Sequence, residues 1–320
     1  MTTPLVRRRD LRVGPLRLSV AVEERTAQRV RDSALGRVLR RRSLTPSPGT
    51  GMGAAGTGVP ARPEQAIPHT NGTHSNGTHT GNDVQARVNE LEWYHVMELP
   101  GGVVTPGRAD HRAELALYGI PGDMLGLRAL DVATFDGYWA FEMERRGADV
   151  TAIDIPSWSH IDLPLRWREG MKPEQDAPTG DGFKLAAGLL GSKVTRREQS
   201  VYDLSPDEVG RFDVVFISDL LQHLRDPQRA LERVYSVTKP GGYLLLAENY
   251  AHDLEKFSDV ALMEFRSYRA YTWWMPTSAA LKLMLRVAGY DVIEEVSRIG
   301  LNFDEKYSSR KVILRARRSA

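Results

Sequence analysis

Two acids 23 residues apart, each at the tip of a short apolar run, give this sequence its first chemical signal. In LDVATFDGYWAFEMERRGADVTAIDI, Asp131 closes the first run, Gly137 lies in the following loop and Asp154 closes the second run. A carboxylate at the tip of a second parallel strand can accept both hydroxyls of a ribose, and a glycine after the first strand lets a ligand approach the backbone closely. Asp154 is the candidate ribose-binding residue, with Asp131 and Gly137 beside it; the alternative is that Asp131 and Gly137 only shape a turn. The loop lacks GxGxxG, which supports a pyrophosphate cradle poorly, whereas an adenosine ligand without phosphates needs only the close approach.

A second group of residues could manage a proton. His223, in DLLQHLRDP, follows the strong apolar run FDVVFIS, where a neutral imidazole can take a proton from a hydroxyl near neutral pH; local backbone capping accounts for it as well. Trp93, Tyr94 and His95 form an aromatic cluster that can fold over a bound cation, with His95 as a further acid–base candidate, although core packing explains the rings equally. Arg108 and Asp110 fit either a ligand contact or a local salt bridge. Downstream, Glu248, Asn249, Tyr268, Arg269, Tyr271, Trp273 and Trp274 are candidates to wall an acceptor pocket, with a structural aromatic patch as the rival reading. No metal site is expected: the chain has no cysteine, and its ordered region lacks a close ligand pattern such as HExxH.

The elements that must position these residues alternate between short strands and helices. RALDVA, DVTAIDI, a weaker segment near Lys193 to Arg197, RFDVVFISDL and YLLLAENY read as strands. GYWAFEMERRG, the region Leu185 to Gly191 and DPQRALERVYSVTKPG read as helices between them. Near-continuous apolar strands alternating with helices predict an α/β fold, a doubly wound, mostly parallel sheet with helices on both faces. TSAALKLMLRVAGY, with Thr277 as its cap, then predicts a helix, DVIEEVSRIG a strand and KYSSRKVILRARR a final antiparallel strand. Ahead of the first strand, VQARVNELEWYHVMEL and HRAELALYGI predict two helices of an N-terminal cap over residues 84–127.

Charge divides the chain further. Residues 1–45 hold 12 arginines against four acids, a balance of +8, which leaves 31 basic and 37 acidic groups for residues 46–320, a balance of −6. This basic extension, with an amphipathic helix expected from Val20 to about Arg41, reads as a solvated tail or as a contact for nucleic acid or an anionic surface. Residues 46–83 are rich in Gly, Pro and Thr and predict a disordered linker; His69, His74 and His79 repeat within it, most simply as solvated low complexity. The catalytic unit is then 84–320. No run approaches the roughly 20 apolar residues of a membrane span, and no secretory signal pattern is present. A cytoplasmic protein without membrane insertion is expected.

Four stretches together resemble a known family: WYHVMELPGGVVTPGRAD, LDVATFDGYWAFEMERRGADVTAIDI, VYDLSPDEVGRFDVVFISDLLQHLRDPQRALERVYSVTKPGGYLLLAE and YTWWMPTSAALKLMLRVAGY. Over about Leu91 to Arg318 the chain resembles the class I S-adenosylmethionine (SAM)-dependent methyltransferases. Within these it is similar to the group of the tRNA wobble-uridine methyltransferase or carboxymethyltransferase and its small-molecule relatives. The resemblance implies a Rossmann-like, seven-stranded sheet with an antiparallel final strand and SAM as cofactor. It places Asp131, Ala133, Gly137, Asp154, Asp203 and Asp219 around that cofactor, Asp203 at its adenine and Asp219 at its edge beside Ser218. Ala133 stands where the common motif has glycine, and Thr134 and Phe135 are bulky, so the loop is expected to change geometry and still bind. The expected acceptor is a small molecule, with an oxygen of a sugar or secondary metabolite favoured. A tRNA-modifying enzyme and a non-catalytic SAM-binding partner are the alternatives; the mildly acidic body and the lack of an RKGPF-like segment argue against the first.

Overall fold

The computed structural model describes residues 6–13, 16–23, 81–170, 172, 176–257, 260–266, 272–302 and 308–320. The chain divides into two units, 1–80 and 81–320. In the first, β1 (Val6–Val13) and β2 (Leu16–Glu23) pair antiparallel, from Val6 with Glu23 to Val13 with Leu16. The second strand of this hairpin carries Val20 to Glu23, which corrects the helix expected to begin there. Alternating apolar residues in LRLSVAVE match the period of a strand rather than a helix. The rest of that expected helix and the histidine repeat lie outside the described residues.

The second unit opens with α1 (Gly81–Asn89), which is shorter than the helix expected there, because the chain turns at Glu90 and His95 bridges to Ala109 instead of continuing the helix. A small hairpin follows, β3 (Glu98–Leu99) with β4 (Val103–Val104). The second cap helix shrinks to one 3-10 turn, Leu115–Tyr118, ended by Gly119 at φ 70°. Each of these departures lies in the cap, where Tyr118, His111 and Trp93 are drawn into the core and tertiary packing overrides helix propensity.

The strand–helix alternation then follows in order: β5 (Arg128–Val132), α2 (Tyr138–Arg145), β6 (Asp149–Asp154), α3 (Leu165–Arg168), α4 (Asp181–Leu190), β7 (Thr195–Glu198), α5 (Pro206–Val209) and β8 (Phe212–Ser218). Next come α6 (Pro227–Val237), β9 (Thr238–Asn249), a small pair of β10 (Met263–Phe265) with β11 (Trp274–Pro276), α7 (Ser278–Val287), β12 (Val292–Asn302) and β13 (Ser308–Arg317). Thr277 caps α7 as expected, its hydroxyl accepting from Ala280 N at 3.2 Å.

The seven strands lie in the order β7-β6-β5-β8-β9-β13-β12. Strands β5 to β9 are mutually parallel, while β13 runs antiparallel between β9 and β12. This is the Rossmann-like sheet of class I methyltransferases. Its central strands β5, β8 and β9 are buried on both faces, and the period of two divides them. Val214, Phe216, Leu245 and Ala247 join the core under α1, α2 and α4, while Val215, Ile217, Leu244 and Leu246 join the core under α6 and α7. Among the described residues, no helix is long and apolar enough to cross a membrane.

Candidate active site

The strand order reverses between β5 and β8, because β5, β6 and β7 step one way and β8 and β9 the other. A crevice outside the carboxyl ends of the strands at such a reversal is where open α/β sheets bind ligands. Its rim is conformationally costly. Ala133 (φ 61°) and Phe135 (φ 50°) follow β5 and Asp219 (φ 57°) follows β8; these are the non-glycine residues with positive φ among those described. Left-handed backbone costs a side-chain-bearing residue about 1–3 kcal/mol, and such strain concentrates at functional sites. The strain falls on Ala133, which stands where the common motif has glycine, and on Phe135.

Gly137 (φ 91°) begins α2, and a Cβ there would lie 2.4 Å from Cε2 of Phe141 and 2.7 Å from Cδ2 of Phe183. The glycine lets the helix start directly below the loop. Gly137→Ala should cost about 2–3 kcal/mol in a urea titration, combining left-handed strain with overpacking; a variant within 0.5 kcal/mol (about the scatter of a harmless substitution) would disprove the constraint.

Asp154 ends β6, and its two oxygens accept from Phe135 N at 2.6 Å and Ile155 N at 2.7 Å. Burial raises its carboxyl above the ordinary range, and those two N–H donors oppose the rise. Each oxygen keeps a lone pair, enough for two vicinal hydroxyls. Asp131 is buried, which pushes its carboxyl up to about 7. The Thr134 hydroxyl beside it opposes that rise, and neither this hydroxyl nor the Asp131 Oδ2 makes a well-formed hydrogen bond in the protein. These unmet polar atoms beside the loop, with Asp154, fit a cofactor that brings donors and a ribose.

The cap crosses this crevice. Asp136, which the sequence reading missed, accepts at Oδ2 from Tyr94 N (2.9 Å) and His95 N (2.8 Å), while its Oδ1 pairs with His95 Nδ1 at 2.5 Å. His95 is buried and stacks on Tyr138 at 5.1 Å. The Tyr94 hydroxyl donates to Asp219 Oδ2 at 3.3 Å, and burial raises its pKa. Arg108 lies 5.4 Å from the Tyr94 ring centroid, whereas Asp110 pairs with Arg112. A Cβ on Gly107 would fall 2.2 Å from the His95 carbonyl, so glycine is what lets the two cap segments meet.

On the β8 side, Asn249 donates to Asp219 Oδ1 at 2.8 Å. Lys311, also missed, is fully buried and pairs with the Asp219 carboxylate. His223 ends the 3-10 turn Leu221–His223, half-buried, four residues beyond Asp219. Trp273 N donates to Gln222 O (2.7 Å), which brings the aromatic wall against this turn. Trp273 Nε1 donates to Asp162 O at 2.5 Å and Trp274 Nε1 to Arg225 O at 3.1 Å.

One wall assignment, Glu248, and one member of the aromatic cluster, Trp93, need correction. Glu248 is buried, and its Oε1 accepts from Leu220 N and Leu221 N, both at 2.8 Å, so it supports the His223 turn from inside rather than lining a pocket. Trp93 is buried with Nε1 donating to Val88 O at 2.7 Å, a core role. Asp203 sits exposed on the turn after β7. Tyr268, Arg269 and Tyr271 lie outside the described residues.

A doubly wound, seven-stranded sheet with β13 inserted antiparallel between β9 and β12 is the sheet of the class I SAM-dependent methyltransferases. The family profile described as "Methyltransferase domain" matches residues 108–295, and the chain belongs to that family. It is similar to proteins named ubiquinone biosynthesis O-methyltransferase: 33% identical over 126 residues to that of Xanthomonas oryzae pv. oryzae strain PXO99A, covering 39% of this chain and 44% of the relative. The one from Escherichia coli O157:H7 is 30% identical over 139 residues, covering 43% and 48%. The match spans just under half the length of these relatives. Among solved structures, the N-terminal domain of EvdMO1 with SAH bound shares the fold at a TM-score of 0.51 and 19% identity, covering 77% of this chain and all of that one.

Proposed function

We propose that this protein is a cytoplasmic methyltransferase that moves the methyl group of SAM to an oxygen of a small molecule, a sugar or secondary-metabolite hydroxyl. The observation that carries the reading is Asp154 at the end of β6, next to the β5/β8 reversal, which keeps two free lone pairs beside the strained loop that follows β5. Relatives named O-methyltransferases support oxygen as the acceptor atom.

When bound, SAM supplies a methyl group already activated by its sulfonium. Asp154 holds the ribose, the backbone of Ala133 to Gly137 takes the amino-acid end, and Tyr94 covers the crevice from the cap. The task left to the chain is to align the acceptor and take one proton. His223, on a turn fixed from inside by Glu248 and from outside by Trp273, takes it.

Incubation with methyl-labelled SAM and a panel of phenols, catechols and sugars, read by mass spectrometry, should show label on a hydroxyl oxygen. His223→Ala should remove at least about 90% of that turnover and leave SAM affinity within threefold, given that general-base catalysis is worth about 100-fold or more. Absence of SAM binding by the folded protein would sink the reading, and label carried to bulk tRNA instead would replace its acceptor.

A further inference from the structure

Lys311 is a buried cation to which the proposed reaction gives no task. Its side chain is fully buried, it stands opposite Asn249 in the sheet, and Val312, Ile313 and Leu314 follow it in the core. An ammonium in such a place costs several kcal/mol unless it is paired and hydrogen-bonded. Lys311 Nζ meets the Asp219 carboxylate and the Ser218 hydroxyl, the latter at 3.1 Å, and lies 6.0 Å from the Tyr118 ring centroid.

The pair is lopsided. The cation is sealed inside the sheet, whereas the Asp219 side chain, at the carboxyl end of β8, keeps 13% of its surface open. A carboxylate offers about four lone-pair directions, and Lys311, Asn249 and Tyr94 occupy three of them. The neighbouring Glu248 carboxyl is pushed up to about 8 by burial and is therefore mostly uncharged at neutral pH. What remains after β8 is a fixed dipole whose buried end is positive and whose partly open end is negative. Asp219 accepts left-handed backbone to stand there.

We propose that Asp219 is the residue by which the crevice distinguishes the charged from the uncharged form of its cofactor, with Lys311 as its positioning residue. The proposal rests on the reading that the crevice takes SAM. SAM is a sulfonium cation and its product, S-adenosylhomocysteine (SAH), is a neutral thioether, so the positive charge disappears when the methyl group leaves. The negative end of the pair favours the first and is indifferent to the second, which retains the donor and releases the spent cofactor. A unit charge within about 8 Å, at an effective dielectric near 20, changes such a preference by about tenfold or more.

The test is calorimetric titration of the full chain with SAM and, separately, with SAH, alongside a thermal melt. Asp219→Asn leaves the Lys311 charge unopposed, and the SAM-to-SAH affinity ratio should fall about tenfold. Lys311→Met leaves the carboxylate unopposed, and the ratio should rise by a similar factor. A pair that only holds the sheet together would lower both affinities in step, and an unmoved ratio overturns the proposal. Should either single variant fail to fold, the double variant Asp219→Asn/Lys311→Met carries no unpaired buried charge. Its ratio should fall about threefold, and no change would overturn the proposal equally. Wild-type protein that binds neither compound defeats the SAM reading itself; binding of both with a fixed ratio defeats only the role of Asp219.

Discussion

Replacing Asp136 with alanine should lower the stability of the 81–320 unit by about 4 kcal/mol and its melting temperature by about 10 °C. The carboxylate is almost fully buried and satisfies three donors from the cap, Tyr94 N, His95 N and the His95 ring. Alanine leaves all three without a partner in a place water does not reach, and each buried donor so stranded costs about 1–3 kcal/mol. Asp136→Asn keeps a carbonyl oxygen for the two backbone donors and should recover about half of the loss. Urea denaturation of both variants, followed by intrinsic tryptophan fluorescence, decides it: an alanine variant within 1 kcal/mol of wild type would mean that water fills the gap and the cap is not tied at this point. SAH binding should weaken in parallel, because Asp136 lies between Phe135 and Gly137 in the loop that the cofactor approaches.

The second large effect is a fall in stability of about 3 kcal/mol between pH 6 and pH 8, in a range where most proteins change little. Burial pushes Glu248 from its ordinary 4.5 to about 8 and Asp131 from 3.8 to about 7. The folded chain therefore holds two protons that the unfolded chain releases near pH 4. For a carboxyl whose folded pKa is raised, stability is fullest below the unfolded value and is lost as pH rises to the folded one. Burial moves Asp154 in the same direction. His111 acts oppositely, because burial, with Lys311 and His95 nearby, lowers it from 6.5 to about 2. Its contribution is complete above pH 6.5 and is lost below, which cancels one carboxyl on the acid side. The steepest fall thus lies just above pH 6.5, where both carboxyls count and His111 no longer opposes them. Glu248→Gln keeps an oxygen for Leu220 N and Leu221 N and cannot ionise, so the fall should end near pH 7 in that variant. Unfolding titrations at half-unit steps check this, and a variant that follows the wild-type slope from pH 7 to 8 would refute the assignment to Glu248.

The readability of the fold from sequence differs between body and cap for a physical reason. In FDVVFIS and YLLLAEN the apolar run itself states that both faces are covered, so strand, parallel sheet and helical layers follow from composition alone. HRAELALYGI has helical spacing, yet His111 and Tyr118 bond to each other inside the core at 2.9 Å and allow only one 3-10 turn. Asp131, Gly137 and Asp154 were legible because they sit close in sequence on one strand–loop–strand unit. Asp136 stands one residue from Gly137, but its partners lie 41 and 42 residues earlier, and nothing local announces them. Lys311 lies 92 residues from Asp219; its one local signal is a lysine heading the apolar run VIL in the final strand. Glu248 gave the opposite error, since a charged residue at a strand end reads as a lining group until its two backbone donors are seen.

The insertion of β13 between β9 and β12 also bears on how the protein is made. Its neighbours β9 and β12 both leave the ribosome before it, yet neither pairs with the other in the finished sheet. A nascent chain that has emerged only through β12 carries β9 as an open apolar edge, the kind of edge that recruits foreign strands. It also lacks the cation that Asp219 requires. The final strand therefore does two jobs together: it covers the apolar edge of β9 and brings Lys311 to Asp219, so a chain ending before Ser308 should aggregate more readily than the full chain.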